Sequence, residues 1–232
     1  MGVQLPRWVW VGAFALSCIA GMVNVVGYLG FEHQAITHLT GTTTLLGAAL
    51  AGGDLRASLH LAGVIVAFVL GAALSGMIVQ DSSLRLGRRY GVALALVSLL
   101  LFASIPMFER EWVLGAWCAA AACGLQNAMV TTYSGAVVRT THLSGMFTDL
   151  GIGLGHALRR MPLPARRLRL SALIVAGFLL GSVAGAWLYA TLSYRALLLP
   201  ATLTGVVGCA YTLLRHRSVL RQRASGGNDG DR

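Results

Sequence analysis

Six apolar runs divide the chain, at about residues 8–29, 59–80, 90–107, 112–132, 170–192 and 196–214. Each is long enough, as a helix, to cross the ~30 Å hydrocarbon core of a bilayer. A backbone in that medium must satisfy its own hydrogen bonds, so single runs of this kind have to be helical. Composition agrees: 56% of the 232 residues are hydrophobic and 11% charged, with a mean hydropathy of +0.71, whereas about a quarter of a soluble domain is charged. The runs leave no room for a sizeable soluble domain. The sequence therefore predicts an all-α membrane protein, with one transmembrane domain over 1–214 and a basic, then disordered, cytoplasmic tail over 215–232.

The net charge of +10 comes from eighteen arginines, with no lysine, against eight acids. On a multi-pass chain such an excess marks cytoplasmic loops beside anionic lipid, which makes the bilayer a partner and nucleic acid a poor one. The first run follows Arg7, outlasts a signal-peptide core and lacks a small-residue cleavage site, so it is expected to remain as the first span. Trp8, Trp10, Tyr90, Trp112 and Tyr194 stand near run ends, as interfacial anchors do. Cys18, Cys118, Cys123 and Cys209 all fall inside apolar runs without disulfide or zinc spacing and read as small core residues. No metal and no cofactor is implied.

Two shorter segments, 38–52 and 141–157, start with T-H-L-T-G-T-T-T and T-H-L-S-G-M-F-T-D. They are too polar to cross unaided and are expected to be short, tilted or re-entrant. Their pairing reflects an internal duplication. G-M-V-N-V at Gly21 to Val25 followed by T-H-L-T-G at Thr37 to Gly41 recurs as G-L-Q-N-A at Gly124 to Ala128 followed by T-H-L-S-G at Thr141 to Gly145. The series continues through Thr44/Thr148, Gly47/Gly151 and F-x-L-G at Phe68 to Gly71 against Phe178 to Gly181. Repeat one covers about 8–107 and repeat two about 112–214.

If both short segments cross, the repeats are parallel; if neither does, they are inverted. Arginine favours the second arrangement. With both termini inside, six spans leave only Arg56, Arg110 and Arg195 outside and place the loops 81–89 and 159–169 and the tail from Arg215 in the cytoplasm, as the positive-inside rule requires.

Polar groups are costly in a bilayer and collect at protein interiors or watered cavities. The repeated motif supplies them in two stripes of helical spacing: Thr37, Thr40 or Gly41, and Thr44, and then Thr141, Ser144 or Gly145, and Thr148. A short helix beginning inside the membrane would also present unpaired N–H groups and a positive dipole end to an anion or dipolar solute. The alternative is structural, with the hydroxyls bonded one turn back and the glycines allowing close packing. His38 and His142 hold equivalent positions and would form a proton relay, a pore-lining pair, metal ligands, disfavoured because no third repeated ligand accompanies them, or, as the plainer reading, two interior histidines bonded to carbonyls. Asn24, Asn127 and the adjacent Gln126 suit either a polar solute or the repair of broken helices.

Asp149 is the one acid well inside a predicted segment, and its counterpart is Leu45. It is a proton-coupling candidate, or else the partner of an interior arginine such as Arg139. Glu32 and His33 fall in the connection before the first short segment. Gly177, Gly181 and Gly185 form a G-x-x-x-G-x-x-x-G strip, with Gly71 and Ser75 a weaker counterpart, and read as helix-packing architecture.

These paired motifs resemble the two signature regions of the YoaK-type family of small bacterial multi-pass membrane proteins, over about residues 10–214. The resemblance implies a bacterial inner-membrane protein of a family whose biochemical function is not established. Thr42 and Ser144 depart from the family pattern, where Asn and Thr are usual.

The reading that follows is a transporter or channel for an unknown small polar solute or ion, with the motif residues contacting the solute. It is compatible with a homo-oligomer. A non-transporting scaffold or accessory protein is the alternative. An intramembrane lipid-acting enzyme ranks last, because no G-x-S-x-G, P-loop, H-E-x-x-H or dinucleotide fingerprint is present and no catalytic residue is assigned.

Overall fold

The computed structural model describes residues 7–30, 36–79, 89–134 and 139–226, with the side chains of 8, 133 and 214–226 left out. The loop 81–88, Glu32, His33 and residues 227–232 lie outside the described residues. Within them the fold is all-helical: α1 (Arg7–Gly30), α2 (Leu39–Ala51), α3 (Leu55–Ile78), α4 (Arg89–Glu109), α5 (Val113–Tyr133), α6 (Leu143–Leu158), α7 (Ala165–Leu192), a 3-10 turn (Ser193–Leu197) and α8 (Leu198–Gly226).

Five helical stretches are long and apolar enough to cross a membrane, the last of them, Ala165–Leu213, being α7 and the start of α8 read through the turn. That turn begins at Ser193, which caps the end of α7 at φ +54°. The six runs expected to span coincide with α1, α3, α4, α5, α7 and α8. The expected tail boundary at 214 is overrun, since α8 carries the basic stretch onward as helix to Gly226; its arginines, glutamine and leucines are all good helix formers.

Helix pairing is set by glycines. Gly177, Gly181 and Gly185 lie against Phe14, Cys18 and Met22 of α1 so closely that a Cβ on any of them would strike α1 backbone. Gly21 in turn meets the Phe178 carbonyl. The second pair repeats this with the matching residues: Gly71 on the Ala121 carbonyl and Gly124 on the Phe68 carbonyl. In the first pair residue numbers rise together, and in the second Trp117 lies against His60 and Gly63 while Ala121 lies against Gly71, so α1 runs parallel to α7 and α3 parallel to α5. Backbone approach of this kind replaces the hydrophobic driving force that lipid removes. The α4–α8 pair is antiparallel, with Gly91 against Gly208 and Thr212, and the Ser98 hydroxyl donating to the Ala201 carbonyl at 2.7 Å.

The ends of these helices sort to two faces. Gly30, Asp54, Arg56, Glu111, Val113 and Tyr194 border one cavity of about 650 Å³, which puts the end of α1, the starts of α3 and α5 and the end of α7 on one face. The Tyr194 hydroxyl donates to the Gly30 carbonyl, and its ring stacks on Phe108 at 5.0 Å. The opposite face holds Arg7, Arg89, Arg159, Arg160, Arg166, Arg167 and Arg169. Of the proposed anchors, Tyr194 is thus half-buried at this end of the bundle, packed on Phe108 and bonded to Gly30. The cysteines divide as well: Cys123 is buried, Cys18 and Cys118 half-buried, and Cys209 exposed on the outer side of α8, where a small thiol suits lipid as readily as a core.

Candidate functional site

The short helices return to the face from which their segments start. Gly30 and Asp54 share a face, so the chain enters and leaves the α2 segment on the same side of the helix bundle. The same holds for α6, between the end of α5 and the start of α7. At 13 and 16 residues they reach about 20 and 24 Å at 1.5 Å per residue. Both begin at mid-depth. The His38 ring lies edge-on to Phe178, midway along α7, at 5.7 Å, and the start of α6 shares a cavity with Phe68, midway along α3.

That cavity, about 410 Å³, is where the two starts meet. Thr37, His38 and Thr40 line it from the first motif, Thr141, His142 and Ser144 from the second, with Asn127, Thr131, Thr132 and Arg139 between them. Neither His38 nor His142 caps its helix with a side chain, and neither first turn contains an acid. The Thr42 and Met146 amides return to the His38 and His142 carbonyls at 3.2 and 3.4 Å. The three amides before each have no intrahelical partner, as at any helix start.

The other sequence candidates are placed elsewhere. Gln126 is buried and donates to the Leu16 carbonyl at 2.9 Å, tying α5 to α1 rather than facing the cavity. Thr44 and Thr148 are exposed and donate one turn back, to Thr40 at 3.0 Å and Ser144 at 2.9 Å, as does Thr42 to His38 at 3.3 Å. Gly41 faces open space, with nothing within 4 Å of an added Cβ, while Gly145 is covered by the His142 ring. The close-packing role considered for the two motif glycines therefore does not apply to Gly41.

The asparagines differ from each other. Asn24 Oδ1 accepts both the Thr37 amide at 3.0 Å and the Thr37 hydroxyl at 2.8 Å, which anchors the start of the first motif to α1. Asn127 Oδ1 is buried at the cavity with no hydrogen-bond partner among the described residues, and the same is true of the fully buried Thr140 hydroxyl.

Beside the central cavity lies a larger one of about 940 Å³ on the arginine-rich face, lined by Arg139, His142, Gly145, Thr148, Asp149, Arg166, Arg167 and Ser171 among others. Arg139 and His142 border both. Asp149 meets Arg167 through two bonds, Nη2–Oδ1 at 2.7 Å and Nε–Oδ2 at 2.8 Å, with Ser171 at 3.5 Å. Its partner is thus an arginine of α7, not Arg139, and the pair clips α6 to α7. Sequence reasoning missed Arg167 because the contact spans a loop; it also did not single out Thr131, Thr132 or Arg139 as cavity residues, although Thr131 and Thr132 follow Asn127 by about one helical turn.

The chain belongs to the family described as Protein of unknown function (DUF1275), which it matches over residues 12–210. That agrees with the resemblance drawn from the paired motifs. No curated protein and no solved structure matches the chain. It is an apolar helical membrane protein of a family without an assigned activity.

Proposed function

We propose that this protein moves a small polar solute or ion across a bacterial inner membrane, through the cavity where the short helices of two inverted repeats meet. One observation carries the reading: matching segments of the two sequence copies bring uncapped helix starts to one polar cavity at mid-depth. Discontinuous helices of inverted repeats form transporter sites in this way. The inverted arrangement is supported by the parallel pairs α1–α7 and α3–α5, whose directions oppose each other while their contacts use equivalent residues. Six crossings follow, with both termini on the arginine-rich, cytoplasmic side.

Single cysteines test the topology, in a chain with the four native cysteines replaced. Asp54→Cys is expected to label from outside and Leu163→Cys from inside; labelling of both from one side would remove the inverted arrangement. Solute flux into liposomes holding the purified chain then tests transport.

Asp149 is proposed as the proton-coupling carboxylate on the vestibule wall, facing Arg167 and Ser171 of α7 and near Arg139 and His142. Asp149→Asn is expected to leave the protein abundant, costing no more than ~1 kcal/mol because Arg167 is well exposed, while making flux independent of a pH gradient. An unchanged pH-gradient response would remove that role. The back-bonded hydroxyls of Thr42, Thr44 and Thr148 favour the scaffold reading at those positions. A chain that supports no flux of any solute would extend that reading to the whole protein. No catalysis is assigned.

A further inference from the structure

The geometry points to the chemical class of the solute: a small oxyanion or carboxylate, with Arg139 as its counter-charge at the passage between the two cavities. This rests on the transport reading and concerns the same central cavity.

The charge inventory is one-sided. No acid lines the central cavity among the described residues. The vestibule has one, Asp149, and both of its oxygens are taken by Arg167. Arg139 borders both cavities and forms no ion pair among the described residues, leaving its guanidinium uncompensated.

The backbone adds to the same sign. The starts of α2 and α6 open on this space without side-chain caps and without an acid in the first turn. Their unpaired amides and the positive ends of their dipoles favour an acceptor. Of the hydroxyls on this wall, those of Thr40, Thr132, Thr141 and Ser144 donate to no partner among the described residues, whereas Thr37 and Thr131 already donate to Asn24 Oδ1 and the Asn127 carbonyl. A cation entering this field meets repulsion from Arg139 and from both helix starts. A neutral solute leaves the exposed guanidinium without a counter-charge. An anion satisfies all of these groups together, and the planar fork of an arginine fits two oxygens of an oxyanion or carboxylate. At about 410 Å³ the cavity equals roughly a dozen water volumes, enough for such an ion with part of its hydration.

The test uses the full chain, in discs and liposomes of zwitterionic lipid, with nitrate, sulfate, phosphate, acetate and succinate as anionic probes. Sodium, ammonium, glycerol and urea are the contrasts. Binding is read as a concentration-dependent rise in unfolding temperature, and flux as uptake. The expected result is saturable binding and uptake of at least one anion, weakened about tenfold or more in Arg139→Gln, the range of one hydrogen bond to a charged group, and weakened less in Arg139→Lys, which keeps the charge and loses the fork.

Uptake of only cations or neutral solutes, indifferent to Arg139→Gln, would overturn the anion assignment and leave the transport reading standing. Anion binding that depends on Arg139 without flux of any probe would keep the anion site and overturn transport. Neither binding nor flux would overturn both. A repeat with anionic phospholipid separates the remaining source of the same chemistry: stabilisation seen only with that lipid, and not with any soluble anion, assigns the site to a lipid headgroup and overturns the solute proposal.

Discussion

Gly181→Val is expected to eliminate the folded protein, seen as loss of the monodisperse peak in size-exclusion chromatography of detergent extracts. Any Cβ at Gly181 runs into the Cys18 carbonyl of α1, and two helices held by backbone contact cannot yield to three added carbons without separating. Overpacking of this kind costs upwards of ~3 kcal/mol, a large share of the ~5–15 kcal/mol that holds a typical domain folded. Gly124→Val is expected to behave alike, because it meets the Phe68 carbonyl in the equivalent crossing. Gly151→Ala supplies the control. Nothing lies within 4 Å of a Cβ there, so this change is expected to leave the peak intact and to raise helix stability by up to ~1 kcal/mol. Equal yields from all three variants would refute the account of helix pairing given above.

The two asparagines should part company in a similar comparison. Asn24→Ala removes the acceptor of two donors on Thr37, a residue only 4% exposed, and leaving such groups unpaired costs about 1–3 kcal/mol. A clear fall in unfolding temperature is expected. Asn127→Ala breaks no hydrogen bond of its Oδ1, which has no partner among the described residues, so stability should hold within ~0.5 kcal/mol. Under the proposed transport its effect falls on the solute instead, through loss of the side-chain N–H donor toward the anion, with uptake reduced by about an order of magnitude, the worth of one hydrogen bond to a charged group. A matching loss of stability in both variants would show that the asparagines do the same structural work, and the cavity would lose one of its solute contacts.

The sequence made the helices legible because lipid imposes so strict a rule on backbone: every apolar run of sufficient length returned as a helix, and the two polar-headed segments returned as the two short ones. The small-residue strip at 177, 181 and 185 was readable for the same reason, since in an apolar medium little but close approach rewards three glycines at that spacing. What resisted was the direction in which polar side chains point. Gln126 and Asn127 are neighbours of similar chemistry, and one step of 100° around α5 sends the first to a carbonyl of α1 and the second to the cavity. Asp149 finds Arg167 across a loop whose path no periodicity reports. Thr44 and Thr148 lie on the stripe that the spacing draws, yet their hydroxyls are taken by their own helices, a competition that residue type alone does not decide.

The parallel pairing of α1 with α7 and of α3 with α5 also bears on how the protein is made. Residue 21 finds its place against residue 178, and at ~5–20 residues per second the ribosome delivers that partner about 8 to 30 seconds later. In the interval α1 stands in the membrane with its Phe14, Cys18, Gly21 and Met22 face uncovered by the glycine strip of α7, and α3 waits in the same way for α5. The first half of the chain is therefore not a finished bundle that can leave the insertion machinery on its own. A chain cut short after α5 would strand α1 beside lipid, a ready target for quality-control proteolysis.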